Sequence, residues 1–216
     1  RDVAPSRGLG DVYKRQLPEF LDPSPDSPYT YAHTDITVVG DRLANVISFE
    51  QRKSINEPLY RGQIYIDMEN NALLRVDFEV NPQYIEQAAG MFVERKSRNL
   101  RITPQKVAYT VSYKQWNGTY YINHIRGDLH FKIKKRRQLF NTNILHTWFE
   151  MVTCKIDTAN VNRFSRIESL PTRTVFSDTH FNYDEGFWGD FNVILPEDKL
   201  NEAISRITSK IEETNY

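Results

Sequence analysis

The sequence predicts a mainly β (α+β) protein: a curved antiparallel sheet or half-barrel with about two helices packed on it. Three observations predict this class. Alternating apolar and polar residues flank a polar tetrad within residues 60–80, the pair Asn117-Gly118 separates two further alternating runs, and the chain holds 12 Tyr, 12 Phe and 3 Trp. Alternation with a period of two is typical of half-buried strands, Asn-Gly is a strong hairpin signal, and aromatic residues favour strands.

Composition is that of an ordinary folded domain and argues against several function classes. The 216 residues suit one domain of a sandwich or half-barrel kind, or a domain with an appendage. The 28 basic residues equal the 28 acidic residues in number, so no net field recruits nucleic acid or an anionic membrane. No apolar run reaches the roughly 18 residues of a membrane-spanning helix. We therefore expect no nucleic-acid partner and no transmembrane segment in this fragment.

The start of the chain is predicted to lie outside the domain. Residues 5–16 resemble translated sequencing-adapter read-through, so we expect residues 1–16 to be a disordered artefact. Residues 17–35 contain four prolines. Each proline removes a backbone donor and disfavours helix at the preceding residue, which predicts an extended lead-in. A single antiparallel β domain is expected over residues 36–216.

Two hairpins are predicted first. Strands over residues 36–39 and 43–50 are joined by a Gly-Asp pair that suits a tight turn. Within residues 60–80, the apolar side chains of the second run share one face of the strand and its charged side chains share the other. The tetrad at residues 68–71 contains Asn residues, which tolerate the positive φ of a tight turn.

A helix and a meander of strands are predicted next. Apolar residues recur at helical spacing within residues 82–95, and the basic stretch 96–104 is expected to be a loop. Three strands then follow in succession from Val107, the last two separated by a turn or bulge at residues 127–128. A further strand is predicted over residues 143–157.

The C-terminal part combines an aromatic segment with an amphipathic helix. Five aromatic residues lie between positions 181 and 191, and burying each ring is worth about 2 kcal/mol, so these rings are expected to pack against other residues. The final helix is predicted over residues 197–213, where apolar residues follow i, i+3, i+4, i+7 spacing.

Motifs of known catalytic or metal-binding chemistry are missing from the sequence. None of the five histidines has zinc-site spacing, and there is no nucleophile elbow, Walker loop or dinucleotide fingerprint. His124 and His130 approach one another only if the chain turns at Gly127. The alternative is that both histidines occupy ordinary strand positions and form no site. A basic cluster at residues 132–137 has no interleaved aromatic platform, which disfavours nucleic-acid binding. We predict no enzymatic activity, no catalytic residue, no cofactor and no metal.

A hydrolase is the alternative from another class. Four carboxylates lie among the C-terminal aromatic residues: Asp178, Asp184, Glu185 and Asp190. Two of them would have to converge in a cleft, with one partly desolvated so that its pKa rises, to work as an acid/base pair.

Several segments resemble one family. The segments Tyr-Arg-Gly-Gln-Ile-Tyr-Ile-Asp at residues 60–67, Tyr-Tyr-Ile-Asn-His-Ile-Arg-Gly-Asp-Leu at 120–129 and Phe-Trp-Gly-Asp-Phe-Asn-Val-Ile-Leu-Pro at 187–196 are similar to the C-terminal region of Bacteroidota carboxypeptidase-like regulatory domain-containing envelope proteins. The resemblance covers residues 17–216. It implies a cell-envelope location, periplasmic or associated with the outer membrane, with a signal peptide lost by truncation. The family label comes from a preceding module and implies no peptidase activity.

The hairpin at residues 60–80 also resembles the paired strands of periplasmic lipoprotein carriers, in which helices close a half-barrel over an apolar cavity. This resemblance implies a concave sheet that binds a hydrophobic ligand, a lipoprotein or an envelope partner. The residues expected to wall such a cavity are Leu74, Val76, Phe78, Val111, Tyr113, Leu129 and Phe131. Two alternatives remain: a packed core in a purely structural module, and a docking module for outer-membrane transport or glycan uptake that exposes an apolar patch on an edge strand or on the last helix.

Overall fold

The computed structural model describes residues 18–22, 24–93, 98–136, 142–159, 161–162 and 165. The chain divides into two compact units, Arg1–Thr153 and Cys154–Tyr216, whereas the sequence predicts one domain over residues 36–216. The predicted artefact, the C-terminal aromatic segment, its carboxylates and the last predicted helix lie outside the described residues.

The first unit is built on one antiparallel sheet, which confirms the predicted mainly β class. Its strands are β1 (Tyr29–Val39), β2 (Arg42–Gln51), β3 (Tyr60–Asp67), β4 (Leu73–Val80), β5 (Leu100–Trp116), β6 (Thr119–Lys135) and β7 (Thr142–Val152). Each strand pairs with its neighbours in sequence, in the order β1 to β7. Over the described residues the sheet is open, with β1 and β7 at its two edges, and it is not closed into a barrel.

Two predicted hairpins are confirmed by backbone geometry. β3 and β4 pair from Tyr60 opposite Val80, and Asn71 in their turn has a φ of 58°. β5 and β6 are joined by Asn117 and Gly118, with φ values of 47° and 81°. Two consecutive positive φ values define the type I′ turn, whose twist matches that of the flanking strands.

The predicted turn or bulge at Gly127-Asp128 is wrong, because β6 continues through it as one 17-residue strand. Gly127 lies opposite Phe149 of β7, and the ring of Phe149 occupies the place that a Cβ on Gly127 would need. The glycine is therefore needed because the aromatic ring approaches the backbone closely. Glycine inside a strand commonly marks either a bulge or a close approach of this kind.

The Pro-rich lead-in is shorter than predicted, because β1 begins at Tyr29. Before it, a 3-10 turn at Glu19–Leu21 places Phe20 on the sheet. The Phe20 ring stacks on that of Phe49, with centroids 4.7 Å apart and an angle of 9° between planes. These residues belong to the core because their aromatic rings bury large apolar areas, which the proline count alone does not reveal.

The first predicted helix is only partly formed. A 3-10 turn at Ile85–Ala88 continues into the short helix α1 (Ala89–Phe92), and no side chain caps its start. The basic loop predicted over residues 96–104 is wrong from Leu100 onward, where β5 begins. Pro104 is accommodated beside a bulge between Pro104 and Lys106, a position at which a strand tolerates the missing N–H.

Two apolar clusters form the core on one side of the sheet. The larger contains Phe20, Tyr29, Phe49, Ile64, Val76, Phe78, Val111 and Ile125. The smaller contains Val80, Ile85, Ala88 and Val107, so the 3-10 turn before α1 covers the junction of β4 and β5.

A buried carboxylate joins β2 to the end of β3. The Asp67 side chain is fully buried, and its Oδ2 accepts a hydrogen bond from Nε of Arg42 at 2.7 Å. Its Oδ1 accepts another from the backbone N–H of Glu69 at 2.8 Å. The hydrogen bond from Arg42 is the main reason that the pKa of Asp67 lies below its ordinary value, against the opposing effect of burial.

We predict that Gly62→Ala destabilises the sheet. Gly62 lies opposite Phe78, and an added Cβ would overlap the carbonyl oxygen of Asp77 and lie 2.7 Å from the Cα of Phe78. Because both contacts are with backbone, we expect a loss of about 2 kcal/mol in the free energy of unfolding, measured by urea denaturation. The matched control is Gly90→Ala in α1, where an added Cβ meets no atom within 4 Å. The control should leave stability unchanged or raise it by up to about 1 kcal/mol, and equal effects would contradict the prediction.

We predict that Asp67 contributes to acid sensitivity. Its folded pKa is lowered, so its stabilising contribution is present above the ordinary Asp pKa of about 4 and is lost as pH falls through the folded value. Asp67→Asn should therefore lower stability near neutral pH and make the loss of stability below about pH 4 shallower. Urea denaturation at a series of pH values measures both effects. The exposed Asp26→Asn is the control, and a profile for Asp67→Asn parallel to that of the unmodified chain would refute the assignment.

Candidate functional site

The structure brings all seven predicted ligand-binding residues to one face of the sheet, here called the apolar face. The register places Val76 opposite Val111 and Val111 opposite Ile125, so alternate residues of β4, β5 and β6 share this side. Leu74, Val76, Phe78, Val111 and Phe131 are buried. Tyr113 and Leu129 are half-buried.

The middle of the apolar face is filled rather than hollow. Phe20 lies 4.9 Å from Phe78 between ring centroids, and Tyr109 lies 5.2 Å from Phe78 on the other side. Val76 and Phe78 therefore contribute to a packed core, which is the alternative to a ligand cavity that the sequence leaves open. Burial raises the pKa of Tyr109 and of Tyr113, so both phenols are neutral at ordinary pH and this part of the face carries no charge.

The apolar face is less covered where it reaches the edge strand β7. Leu145, Phe149 and Met151, here called the apolar strip, are 47%, 38% and 49% exposed. The Phe149 ring lies over Gly127, and its centroid is 6.4 Å from that of Tyr109. The strip thus continues the aromatic surface of the core outward to the edge of the sheet.

The opposite side of the sheet, here called the polar face, carries charged side chains in cross-strand rows. One row runs from Gln63 through Asp77 and Thr110 to Arg126 and Glu150. Within it, the Thr110 hydroxyl donates to Oδ1 of Asp77 at 2.8 Å, and Nη1 of Arg126 lies 2.7 Å from Oε1 of Glu150. Opposite charges on adjacent strands each add roughly 0.2–1 kcal/mol, and they keep this face solvated.

An open groove of about 700 Å³ crosses the polar face over β1 to β5. Small side chains form much of its floor, among them Ala32, Ser48, Ala108 and Thr110. Arg61 and Glu79, also in its lining, form an ion pair with Nη2 and Oε1 2.7 Å apart. Because Ala108 lies opposite Asp128 of β6, the groove ends beside a cluster of titratable residues.

This cluster joins a carboxylate and two imidazoles. Asp128 and His130 are two residues apart on β6 and share the polar face, and His146 of β7 lies opposite His130. Oδ1 of Asp128 is 2.6 Å from Nε2 of His146 and 3.2 Å from Nε2 of His130. The centroids of the two imidazole rings are 4.2 Å apart. Both imidazoles therefore direct the same nitrogen at one carboxylate oxygen.

A lysine completes the surroundings of the carboxylate. The bulge in β5 aligns Lys106 with His130, and Nζ of Lys106 lies 3.1 Å from Oδ2 of Asp128. Burial opposes ionisation of Asp128, but hydrogen bonds from His146 and Lys106 outweigh it and hold the pKa of this carboxyl below its ordinary range. Asp128 is therefore ionised and has both oxygens engaged.

The cluster is absent from the sequence prediction, which named no metal site and considered only His124 with His130. His124 lies on the same uninterrupted strand as His130, and its Nε2 is 3.7 Å from Oε1 of Glu150. The signal that would have found the cluster is Asp-x-His on one strand with a histidine at the paired position of the next. The register of β6 with β7 was needed to read that signal.

No family model, curated protein or solved structure matches this chain. Among the described residues, no helix has the length and apolar character that crossing a bilayer requires.

Proposed function

We propose that this protein is a non-catalytic binding module of the cell envelope that holds the acyl chain of a lipid on its apolar strip. The observation that carries the proposal is the half-exposed row Leu145, Phe149 and Met151 beside a face whose centre is already filled. The envelope location rests on the resemblance of the sequence to Bacteroidota envelope proteins.

The chemistry of the strip suits the uncharged hydrocarbon chain of a lipid. Between Leu145 and Met151, and in the facing part of β6, the charged side chains lie on the polar face. The strip therefore offers aliphatic, thioether and aromatic contacts, with the hydroxyl of Thr147 as its one polar group. Covering such side chains is favourable by about 25 cal/mol per Å² of apolar surface removed from water. From Leu145 to Met151 the strand spans roughly 20 Å, a length that an extended acyl chain can follow.

The size of the strip favours a chain-like ligand over a protein. A stable protein interface buries about 800 Å² on each partner, contributed by some 20–30 residues. Three side chains on one edge strand do not provide that area. An acyl chain needs only a narrow apolar track, and the Phe149 ring lying over Gly127 supplies a flat one.

A second candidate, a docking module for an envelope partner, is favoured by a separate patch. Ile36, Val38 and Leu43 are 49%, 62% and 57% exposed around the β1–β2 turn, and Val38 pairs with Leu43. β1 is an edge strand, so a partner strand can pair with its backbone, and those hydrogen bonds add to the small apolar area that these three side chains provide. This patch lies at the opposite edge of the sheet from β7, so separate variants test the two functions.

We predict that the double variant Leu145→Asp/Met151→Asp loses acyl binding. Two carboxylates in the strip would have to be desolvated beneath the ligand, so affinity for palmitate should fall at least about tenfold. Native mass spectrometry of the full chain titrated with palmitate measures the change. The matched control is Ile144→Asp, a neighbour on the polar face that is 74% exposed, and it should bind as the unmodified chain does.

Two results would overturn the acyl-binding proposal. One is an unmodified chain that forms no palmitate adduct. The other is a double variant that binds palmitate as well as the control while both keep the same far-ultraviolet circular dichroism. The docking module would be favoured instead by two results together. An envelope protein that co-purifies with the unmodified chain would be lost in the Val38→Asp variant, and no variant would bind palmitate.

A further inference from the structure

Three donor atoms on the polar face converge on one point in a way that the proposed lipid-binding function does not use. They are Oδ1 of Asp128, Nε2 of His130 and Nε2 of His146, and all lie within 4.8 Å of one another. Imidazole nitrogen with carboxylate oxygen is the donor set that suits Zn²⁺, Fe²⁺ and related first-row ions.

We propose that Asp128, His130 and His146 form a binding site for a divalent first-row transition-metal ion. The site has the two-histidine, one-carboxylate composition that leaves coordination positions open. It lies on the face opposite to the apolar strip, and its existence does not depend on whether that strip binds lipid.

The separations between the donors fit a shared ion after small movements. Zinc lies about 2.1 Å from nitrogen and oxygen ligands, so two donors on one tetrahedral ion are roughly 3.4 Å apart. The observed separations from Oδ1 of Asp128 are 2.6 Å to Nε2 of His146 and 3.2 Å to Nε2 of His130. Shifts of about an ångström therefore convert hydrogen-bond geometry into coordination geometry. Each histidine would then carry its remaining proton on Nδ1.

The backbone makes these donors a pre-formed set. Asp128 and His130 are held on one face by the period of the strand, and the paired position of His146 brings its ring beside that of His130. β6 and β7 pair without a register shift from His124 to Lys134. The site therefore lies on two strands paired in unbroken register, and folding itself brings the ligands together.

The surroundings leave the ion accessible and the carboxylate oriented. The side chains of Asp128, His130 and His146 are 27%, 35% and 51% exposed, so the remaining coordination positions face solvent and are open to water or an anionic ligand. Lys106 binds Oδ2 of Asp128, the oxygen that the ion does not need, and this leaves Oδ1 directed at both imidazoles. A hydrogen-bonded partner of this kind fixes a metal-ligating carboxylate.

The test is metal titration of the full chain after removal of any affinity tag and of bound ions by a chelator. Calorimetry with Zn²⁺ should show one ion per chain, and Co²⁺ should give visible absorption bands of low-symmetry coordination. His130→Ala and His146→Ala should each weaken Zn²⁺ binding at least about tenfold, because even an outer-shell partner is worth about 10–100-fold. Asp128→Asn should do the same.

The matched control is His124→Ala, which removes another imidazole from the same face of β6 and should leave Zn²⁺ affinity unchanged. Circular dichroism and thermal unfolding without metal confirm that each variant is folded, as expected for side chains this exposed. If the unmodified chain takes up no Zn²⁺, or if the three cluster variants bind it as tightly as the control, the cluster is a hydrogen-bonded network and the metal proposal is overturned.

Discussion

A sheet whose strands pair only with their sequence neighbours does not fold over its own face, and in this protein other parts of the chain pack against that face. In this protein the covered face is held by an aromatic cluster in which Phe20, carried by a 3-10 turn, stacks on Phe49 and contacts Phe78. Each such ring is worth about 2 kcal/mol when buried. The segregation of apolar side chains to this face sets the register of every strand, because a slip of one residue would turn each of them into water.

The same constraint organises the polar face. Once Leu129 and Phe131 are committed to the apolar side, Asp128 and His130 must point the other way. The pairing of β7 then places His146 beside His130 while Leu145 and Phe149 face the core side. The cluster of Asp128, His130 and His146 and the apolar strip therefore both result from the register in which β6 pairs with β7.

This arrangement separates two chemistries across the thickness of a single sheet. Leu145 and His146 are adjacent in sequence but lie on opposite faces, one in the apolar strip and one in the donor cluster. Their side chains point to opposite sides of the sheet, so neither lines the other's site. The groove of small side chains beside Asp128 gives the polar face room for a ligand that the apolar face does not share.

The sequence alone determined the class of the fold, because alternation with period two and the Asn117-Gly118 turn are local properties of the chain. It also determined which face holds Leu74, Val76, Phe78 and the other predicted ligand-binding residues. Alternation does not indicate whether such a face is covered or open. The structure shows Val76 and Phe78 packed beneath Phe20, a residue 56 positions from Val76 along the chain. Gly127 illustrates a second limit, because its role depends on the ring of Phe149 across the sheet.

The donor cluster was decided by tertiary structure. Asp128 and His130 carry a local signal, an Asp-x-His pair on one strand face, but His146 joins them through the pairing of β6 with β7. That pairing depends on the length of the connection between β6 and β7 and on which residues each strand buries. The spacing of the histidines in the sequence predicts neither of these. The bulge that aligns Lys106 with His130 is likewise a product of strand pairing, because an extra residue in one strand has meaning only relative to its partner.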